Sequence, residues 1–162
     1  MSTNRFHYPL GSSSAYVWYH CAASPHLSAL AAEPINAAAT LGNDIHDDAA
    51  GEAELAISAR YRSALMRTST RWNFEQRVQG IHPMMGTFAD AVAIEDDVAY
   101  VVDLKTGQEP VSPVDNFQLL STAAMLVSAG LEVPQFLLGI YQEHEDGTPP
   151  MKWCCLTSPL HR

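Results

Sequence analysis

The stretch Gly86–Gly107, GTFADAVAIEDDVAYVVDLKTG, decides how this chain reads. Two runs rich in Val, Ala, Ile and Tyr flank the acidic pair Asp96-Asp97, the pattern of a β-hairpin closed by a two-residue turn. With that turn, residues whose numbers sum to 193 face each other, so Asp90 faces Asp103. Opposed side chains on one face of an antiparallel pair have Cβ atoms about 4.5–5.5 Å apart. Side chains two apart on a strand share a face, so Lys105 joins the two acids. A slip of one residue would turn Asp90 to the opposite face.

Working outward, the chain upstream of the hairpin has three readable parts. Ser12-Ser13-Ser14 precedes an aromatic, apolar run, which predicts a first helix over about Ser13–Ala22, ending before Pro25. Residues 24–41 read as loop, with Pro25 and Pro34 as breakers. Asn43 or Asp44 then caps the longest helical pattern, roughly 43–67. Its small and apolar stripe is His46, Ala50, Ala53, Ile57, Tyr61 and Ala64. Trp72–Gln79 alternates as a strand, with Trp72, Phe74, Gln76 and Val78 on one side and Asn73, Glu75, Arg77 and Gln79 on the other.

Downstream, Ser112-Pro113-Val114-Asp115 reads as a helix start, and the helix runs from Pro113 to about Ala129, with Gly130 past its end. Pro134–Tyr141 and Met151–Thr157 read as two further strands. Trp153, Phe136, Leu138 and Tyr141 on these strands serve either core packing or an oligomer surface. The order of elements fits an α/β fold with a mixed central sheet of about five strands flanked by helices. One domain over residues 1–162 is expected, with residues 1–12 and 158–162 flexible.

Composition narrows the function. Nine Lys and Arg stand against eighteen Asp and Glu, a net charge of −9. Long-range attraction to DNA is then weak unless a metal ion or a local cluster reverses the field. Arg60, Arg62, Arg67, Arg71 and Arg77 fall within one window; they form such a cluster, or else a solvated helix face and strand edge. No apolar run approaches the ~20 residues of a membrane helix. The N-terminus lacks the apolar core of a signal peptide, so a cytoplasmic protein without membrane contact is expected. The three cysteines, Cys21, Cys154 and Cys155, lack the spacing of zinc or iron–sulfur ligands and read as buried free thiols.

Two carboxylates held a few ångströms apart repel, so one keeps a proton or a cation sits between them. Hard oxygen ligands suit Mg²⁺ or Mn²⁺, which leave room for water and phosphate oxygens. A strand carbonyl such as that of Leu104 adds a ligand, and the Lys105 ammonium either polarises the attacking water or stabilises developing phosphorane charge. By spacing alone, an Asp on a strand beside a Lys is more often a surface ion pair than a metal site. His46 likewise reads as a core histidine or as a ligand.

These residues together resemble the PD-(D/E)XK nuclease superfamily in its RecB-like branch, which includes phage and CRISPR-associated exonucleases. The family's G-x-x-x-H is similar to Gly42-Asn43-Asp44-Ile45-His46. Its G-T-x-D resembles Gly86-Thr87-Phe88-Ala89-Asp90, with one extra residue before the acid. Its D-x-K resembles Asp103-Leu104-Lys105, followed by Thr106-Gly107. Of its Q-x-x-x-Y, Gln118 matches and Thr122 stands where Tyr is usual. Ser13-Ser14-Ala15, Trp18 and Cys21 resemble the opening of a phage and prophage subgroup.

The resemblance implies a restriction-endonuclease-like core and a metal-dependent DNA nuclease, an exonuclease above all, in phage-related recombination, repair or defence. Asp90, Asp103, Lys105 and Gln118 would be catalytic. His46, Asp90, Asp103 and the Leu104 carbonyl would hold Mg²⁺ or Mn²⁺. Glu75 would support the site from outside, or lie on a strand edge. No iron–sulfur cluster is implied. DNA is the implied partner, with a homo-oligomer and a phage or host recombination protein as further candidates. The competing expectation is a catalytically inactive protein on the same fold that binds a partner protein in phage–host conflict. A generic α/β domain with surface ion pairs is the third reading.

Overall fold

A computed structural model of the chain describes residues 8–31, 37–66 and 70–157. The chain is α/β, with a mixed six-stranded sheet flanked by five helices. In order the elements are β1 (Leu10–Gly11), α1 (Ala15–His20), α2 (Ser24–Leu30), α3 (Ala37–Ala50) and α4 (Ala56–Met66). Then follow β2 (Trp72–Gln79), β3 (Met85–Glu95), β4 (Val98–Lys105), α5 (Phe117–Ser128), β5 (Gln135–Gln142) and β6 (Met151–Thr157). A 3-10 turn over Ser12–Ser14 joins β1 to α1.

The hairpin has the predicted register: Ala91 pairs with Val102 and Glu95 with Val98 across the turn. Asp96 takes φ +50°, the positive value that lets a tight turn match the twist of its strands. β4 and β5 are parallel, so they need a crossover, and α5 supplies it. β6 closes the far edge antiparallel to β5. β2 runs antiparallel along one edge of β3. The other edge of β3 is shared: β1 pairs in parallel at Met85 and Gly86, and β4 takes over from Ala91 onward.

Two apolar layers cover the sheet. Successive side chains of a strand point to opposite faces, and Val101 and Val102 belong to different layers. One layer packs α5 through Leu119, Ala123, Met125 and Leu126 against Val92, Val101, Phe136 and Leu138. The other packs α3 and α4 through Ile45, Ala49, Tyr61 and Leu65 against Ala91, Val102, Leu104 and Tyr141. Phe136, Leu138 and Tyr141 are thus core residues; Trp153 is half-exposed, its ring lying over Gly139, where a Cβ would meet it at 2.7 Å.

Several boundaries differ from the sequence reading, each for a local reason. Of residues 24–41, read as loop, Ser24–Leu30 and the described residues from Ala37 onward are helical. Pro25 sits in the first turn of α2, where its missing N–H costs no hydrogen bond. Pro34 lies outside the described residues. α1 ends at His20, short of Ala22, because Cys21 turns extended. The long helix is two helices. α3 begins at Ala37, so Asn43 and Asp44 are interior and cap nothing. It stops at Ala50, because Asp48 captures the amides of Glu54 and Leu55 at 3.0 Å each and Ala53 takes φ +57°. That reversal resets the helical phase: Ile45 and Ala49 are buried, whereas Ala50 is exposed.

α5 starts later than Pro113. Asp115 adopts φ +55°, and Asn116 becomes the N-cap, its side-chain oxygen accepting from Leu119 N–H at 3.1 Å. Its C-terminus is as expected. Gly130, at φ +97°, donates to Val127 O and Leu131 donates to Leu126 O, a Schellman ending. Residues 8–12, expected to be flexible, are held against the sheet: Tyr8 is buried and Leu10 N–H donates to Met84 O at 3.0 Å. The cysteines are free as expected, but Cys21 and Cys155 are exposed rather than buried. Cys155 sits on an edge strand whose alternate side chains face outward.

Candidate metal centre

The site lies in a fork of the sheet. β3 and β4 pair only as far as Ala91 and Val102, while β4 continues beside β5 through Lys105 and Gln142. Between the end of β4's pairing and the start of β1's, no strand among the described residues pairs with β3 residues 87–90 on that edge. Asp90 bridges the opening with a side chain: Leu104 N–H donates to its Oδ2 at 2.7 Å. The fork opens into a cavity of about 310 Å³, lined among others by Asp90, Asp103, Lys105, Gln118, His46 and Asn43.

On the α5 side, three side chains form a closed set. Gln118 Nε2 donates to Asp103 Oδ1 at 2.5 Å, and Lys105 Nζ donates to Gln118 Oε1 at 2.8 Å. Lys105 Nζ also lies 2.8 Å from Asp103 Oδ2, as an ion pair without hydrogen-bond alignment. Asn116 capping places Gln118 in the first turn of α5, facing the strand. The loop after Lys105 is pinned by buried Gln142, whose Nε2 donates to Gly107 O and Glu109 O and whose Oε1 accepts from Val111 N–H.

On the α3 side, His46, Glu75 and Asp90 bring three ligand atoms within 4.8 Å of one another. His46 Nδ1 is 3.2 Å from Asp90 Oδ1 and 3.7 Å from Glu75 Oε1. Gly42 of α3 lies against the residue that follows β4; a Cβ there would stand 3.3 Å from Thr106 Oγ1, a tight contact. Glu75 reaches the group through an unusual backbone, at φ +48° in the middle of β2. The alternation of β2 breaks there. Trp72 and Phe74 pack in the α3–α4 layer, whereas Val78 packs in the α5 layer. The strand therefore does not keep one apolar side from Trp72 to Val78, as its sequence pattern predicts.

The electrostatics follow from crowding acids in a dry place. Burial, and then the neighbouring Asp90, push the Asp103 carboxyl up to about 6, against the pull of Lys105 and His46. Burial is the largest influence on His46 and lowers its pKa, but Asp90, Glu75 and Asp103 outweigh it and the net shift is upward. The Tyr61 hydroxyl, buried under the acids without a hydrogen-bond partner, is raised well above the usual phenol range, by burial first and then by Asp90, Asp103 and Glu75.

His46 Nδ1 and Asp103 Oδ2 are buried without an aligned hydrogen-bond partner. Buried polar atoms of this kind ordinarily find one. The imidazole of His46 and the carboxylates of Glu75 and Asp90 are donors that suit a divalent ion, with the imidazole favouring Mn²⁺ over Mg²⁺. Among the described residues, His46, Glu75 and Asp90 are the group whose side chains could hold such an ion, and Asp103 is not in it.

The fold brings together every side chain singled out in the sequence: His46, Asp90, Asp103, Lys105 and Gln118 line one cavity, and Glu75 joins His46 and Asp90. Two placements were not legible. Glu75 stands in the inner group, not on a strand edge. Leu104 contributes its amide to Asp90. The available signal for Glu75 was the β2–β3 register, since Phe74 and Gln76 flank the position opposite Asp90. Tyr8, which no pattern marked, also lines the cavity, together with Ser13 and Phe88. Of the arginine cluster, Arg60, Arg62 and Arg77 make contacts within the chain, and Arg71 is exposed. Arg60 makes a two-point contact with Glu143 at 2.6 Å, Arg62 bonds Gly51 O and covers Phe74, and Arg77 donates to Tyr8 Oη at 2.5 Å. Arg67 lies outside the described residues.

No protein-family model matches the chain, and no curated protein matches it. Among solved structures, one described as "Crystal structure of SSO0001" aligns with a TM-score of 0.42 at 12% identity, over 94% of this chain and 64% of that one. The chain therefore spans less than two thirds of that structure's length, and at this similarity nothing about activity transfers.

Proposed function

We propose that the protein is a divalent-metal-dependent deoxyribonuclease of the RecB-like PD-(D/E)XK type. The observation that carries the reading is the Lys105–Gln118–Asp103 set standing beside His46, Glu75 and Asp90 in one cavity. A surface ion pair needs neither a buried acid nor a second helix to orient its lysine. Here Gln118 does both jobs, accepting from Lys105 and donating to Asp103.

In this reading His46, Asp90 and Asp103 hold Mn²⁺ or Mg²⁺, with Glu75 beside them. The ion supplies charge neutralisation for a phosphodiester and a lowered pKa for water. Lys105, held by Gln118, places a positive charge where the phosphorane forms. Asp90 fixes the end of β4 through Leu104 N–H, so both sets keep one geometry. Lys105→Ala should lower DNA cleavage by roughly a hundredfold or more, with Tm nearly unchanged. A Lys105→Ala protein that cuts as fast as wild type sinks the assignment.

One observation favours a non-catalytic protein-binding relative. Thr122 stands where the family has Tyr, and its hydroxyl is turned into the helix, donating to Gln118 O at 2.9 Å. Titration with Mn²⁺ separates the two. A thermal shift with cleavage of linear, circular or single-stranded DNA supports the nuclease; a thermal shift with none of these supports the binding protein.

A further inference from the structure

All eighteen acidic residues lie between Glu33 and Asp146. The segment 8–31 has none, and it also lacks Lys and Arg. This acid-free segment forms β1, the 3-10 turn, α1 and α2, and it walls one side of the cavity through Tyr8, Gly11 and Ser13. For a polyanion approaching a protein of net charge −9, this is the face of least repulsion.

The same face carries aromatic rings turned outward. Tyr16 is 62% exposed and Tyr19 66%. They form one patch with His20 and with Phe117 of α5. The Tyr16 and Tyr19 ring centroids are 5.4 and 5.1 Å from Phe117, and His20 is 5.6 Å from it. The patch runs into the site: a depression lined by Tyr16, Phe117, Asn116 and the single carboxylate Asp115 shares Ser13 and Gln118 with the metal cavity. Gln118 is the residue that holds both Lys105 and Asp103.

Exposed rings beside an uncharged wall suit stacking better than phosphate contact. Stacking needs a free base face, which an unpaired strand offers and a duplex hides. Resting on the nuclease reading of the adjoining cavity, we propose that the α1–Phe117 patch is a stacking platform for the unpaired bases of a DNA strand entering the site, so that single-stranded DNA is the preferred substrate.

The test is anisotropy of a fluorescein-labelled oligothymidine in EDTA, where nothing is cleaved. The Tyr16→Ala/Tyr19→Ala double variant should bind about tenfold or more weakly than wild type. The Tyr16→Phe/Tyr19→Phe variant should bind like wild type, and a duplex of equal length more weakly than the single strand. Equal affinity of wild type and the alanine variant, no single-strand binding by wild type, or a duplex preference overturns the platform. An oligonucleotide containing 2-aminopurine needs no variant: its fluorescence should be quenched on binding wild type, and unchanged fluorescence also overturns the proposal. Tyrosine-dependent binding without Mn²⁺-dependent cleavage would remove the nuclease reading and leave the platform. Cleavage with tyrosine-independent binding would do the reverse.

Discussion

Glu75 is the residue on which the site's chemistry and its backbone conformation meet. A non-glycine residue at φ +48° costs about 1–2 kcal/mol relative to ordinary backbone. Strain of this kind persists where the surroundings over-determine it, and it gathers at functional sites. Here it coincides with a carboxylate 3.7 Å from His46 Nδ1. Glu75→Gly removes both strain and charge. Its Tm in EDTA should not fall below that of wild type, and the Mn²⁺-induced rise in Tm should shrink. Glu75→Gln, which keeps the backbone cost, should lose the Mn²⁺ response without any gain in EDTA. A clear drop in Tm for Glu75→Gly without metal would make the side chain a structural support instead.

Asp103 gives a pH dependence of definite sign. Its carboxyl is raised from 3.8 to about 6 in the folded state. The folded chain therefore binds the proton more tightly than the unfolded chain, and stability is lost as pH rises from about 4 to about 6. His46, also raised, acts in the same direction at higher pH, above the ordinary imidazole value of about 6.5. In EDTA, the Tm of Asp103→Asn minus that of wild type should grow between pH 4 and 6 and then level off. A flat difference across that range would contradict the buried, acid-crowded setting of Asp103. The carboxylates Asp48, Glu143 and Asp146 are lowered and stabilise in the opposite sense, so the difference between proteins is the proper readout.

At the scale of elements, the site exists because two strands part. The hairpin register was readable from the acidic turn and the alternation around it, and Ala91 does face Val102. The point where pairing stops was not, because β1, a strand of two residues, gives almost no periodic signal and wedges against the same edge of β3. Gly86 makes that wedge fit. A Cβ there would stand 2.6 Å from the ring of Tyr8. Gly86→Ala should therefore displace Tyr8, free its contacts with Arg77 and Gln79, and cost about 1–3 kcal/mol by overpacking. Chemical denaturation would measure it; a loss under about 0.5 kcal/mol would mean β1 yields without consequence. The α3–α4 break escaped the sequence reading for a similar reason. The pattern of small residues continues across it, while Asp48 reverses the chain through two backbone amides.

At the scale of the whole molecule, charge sets how nucleic acid can be held. With a net charge of −9 and with Lys105 the one Lys or Arg among the described residues lining the cavity, few phosphates can be neutralised. The plot of log K against log salt for single-stranded DNA should then be shallow, with a slope of about −1 to −2. Anisotropy over a salt series measures it. A slope near −5 would reveal a basic surface that neither the cavity nor the acid-free face supplies. Among the described residues, no helix is long and apolar enough to cross a membrane.

What the sequence determined by itself was local: the hairpin and its register, the strands at 72–79 and 151–157, the glycine ending of α5, and the residue types that converge on the cavity. Each rests on neighbours within a few positions, where alternation, turn residues and caps act. The tertiary structure decided the rest. It opened the fork, set Gln118 between Lys105 and Asp103, and turned Glu75 inward against its own strand's alternation. It also tied Arg60, Arg62 and Arg77 into contacts within the chain and left Tyr16 and Tyr19 in solvent. Those outcomes depend on which distant surfaces compete for the same space, and on burial that shifts a carboxyl by its surroundings. A strand's own sequence carries no record of the helix that will press on it.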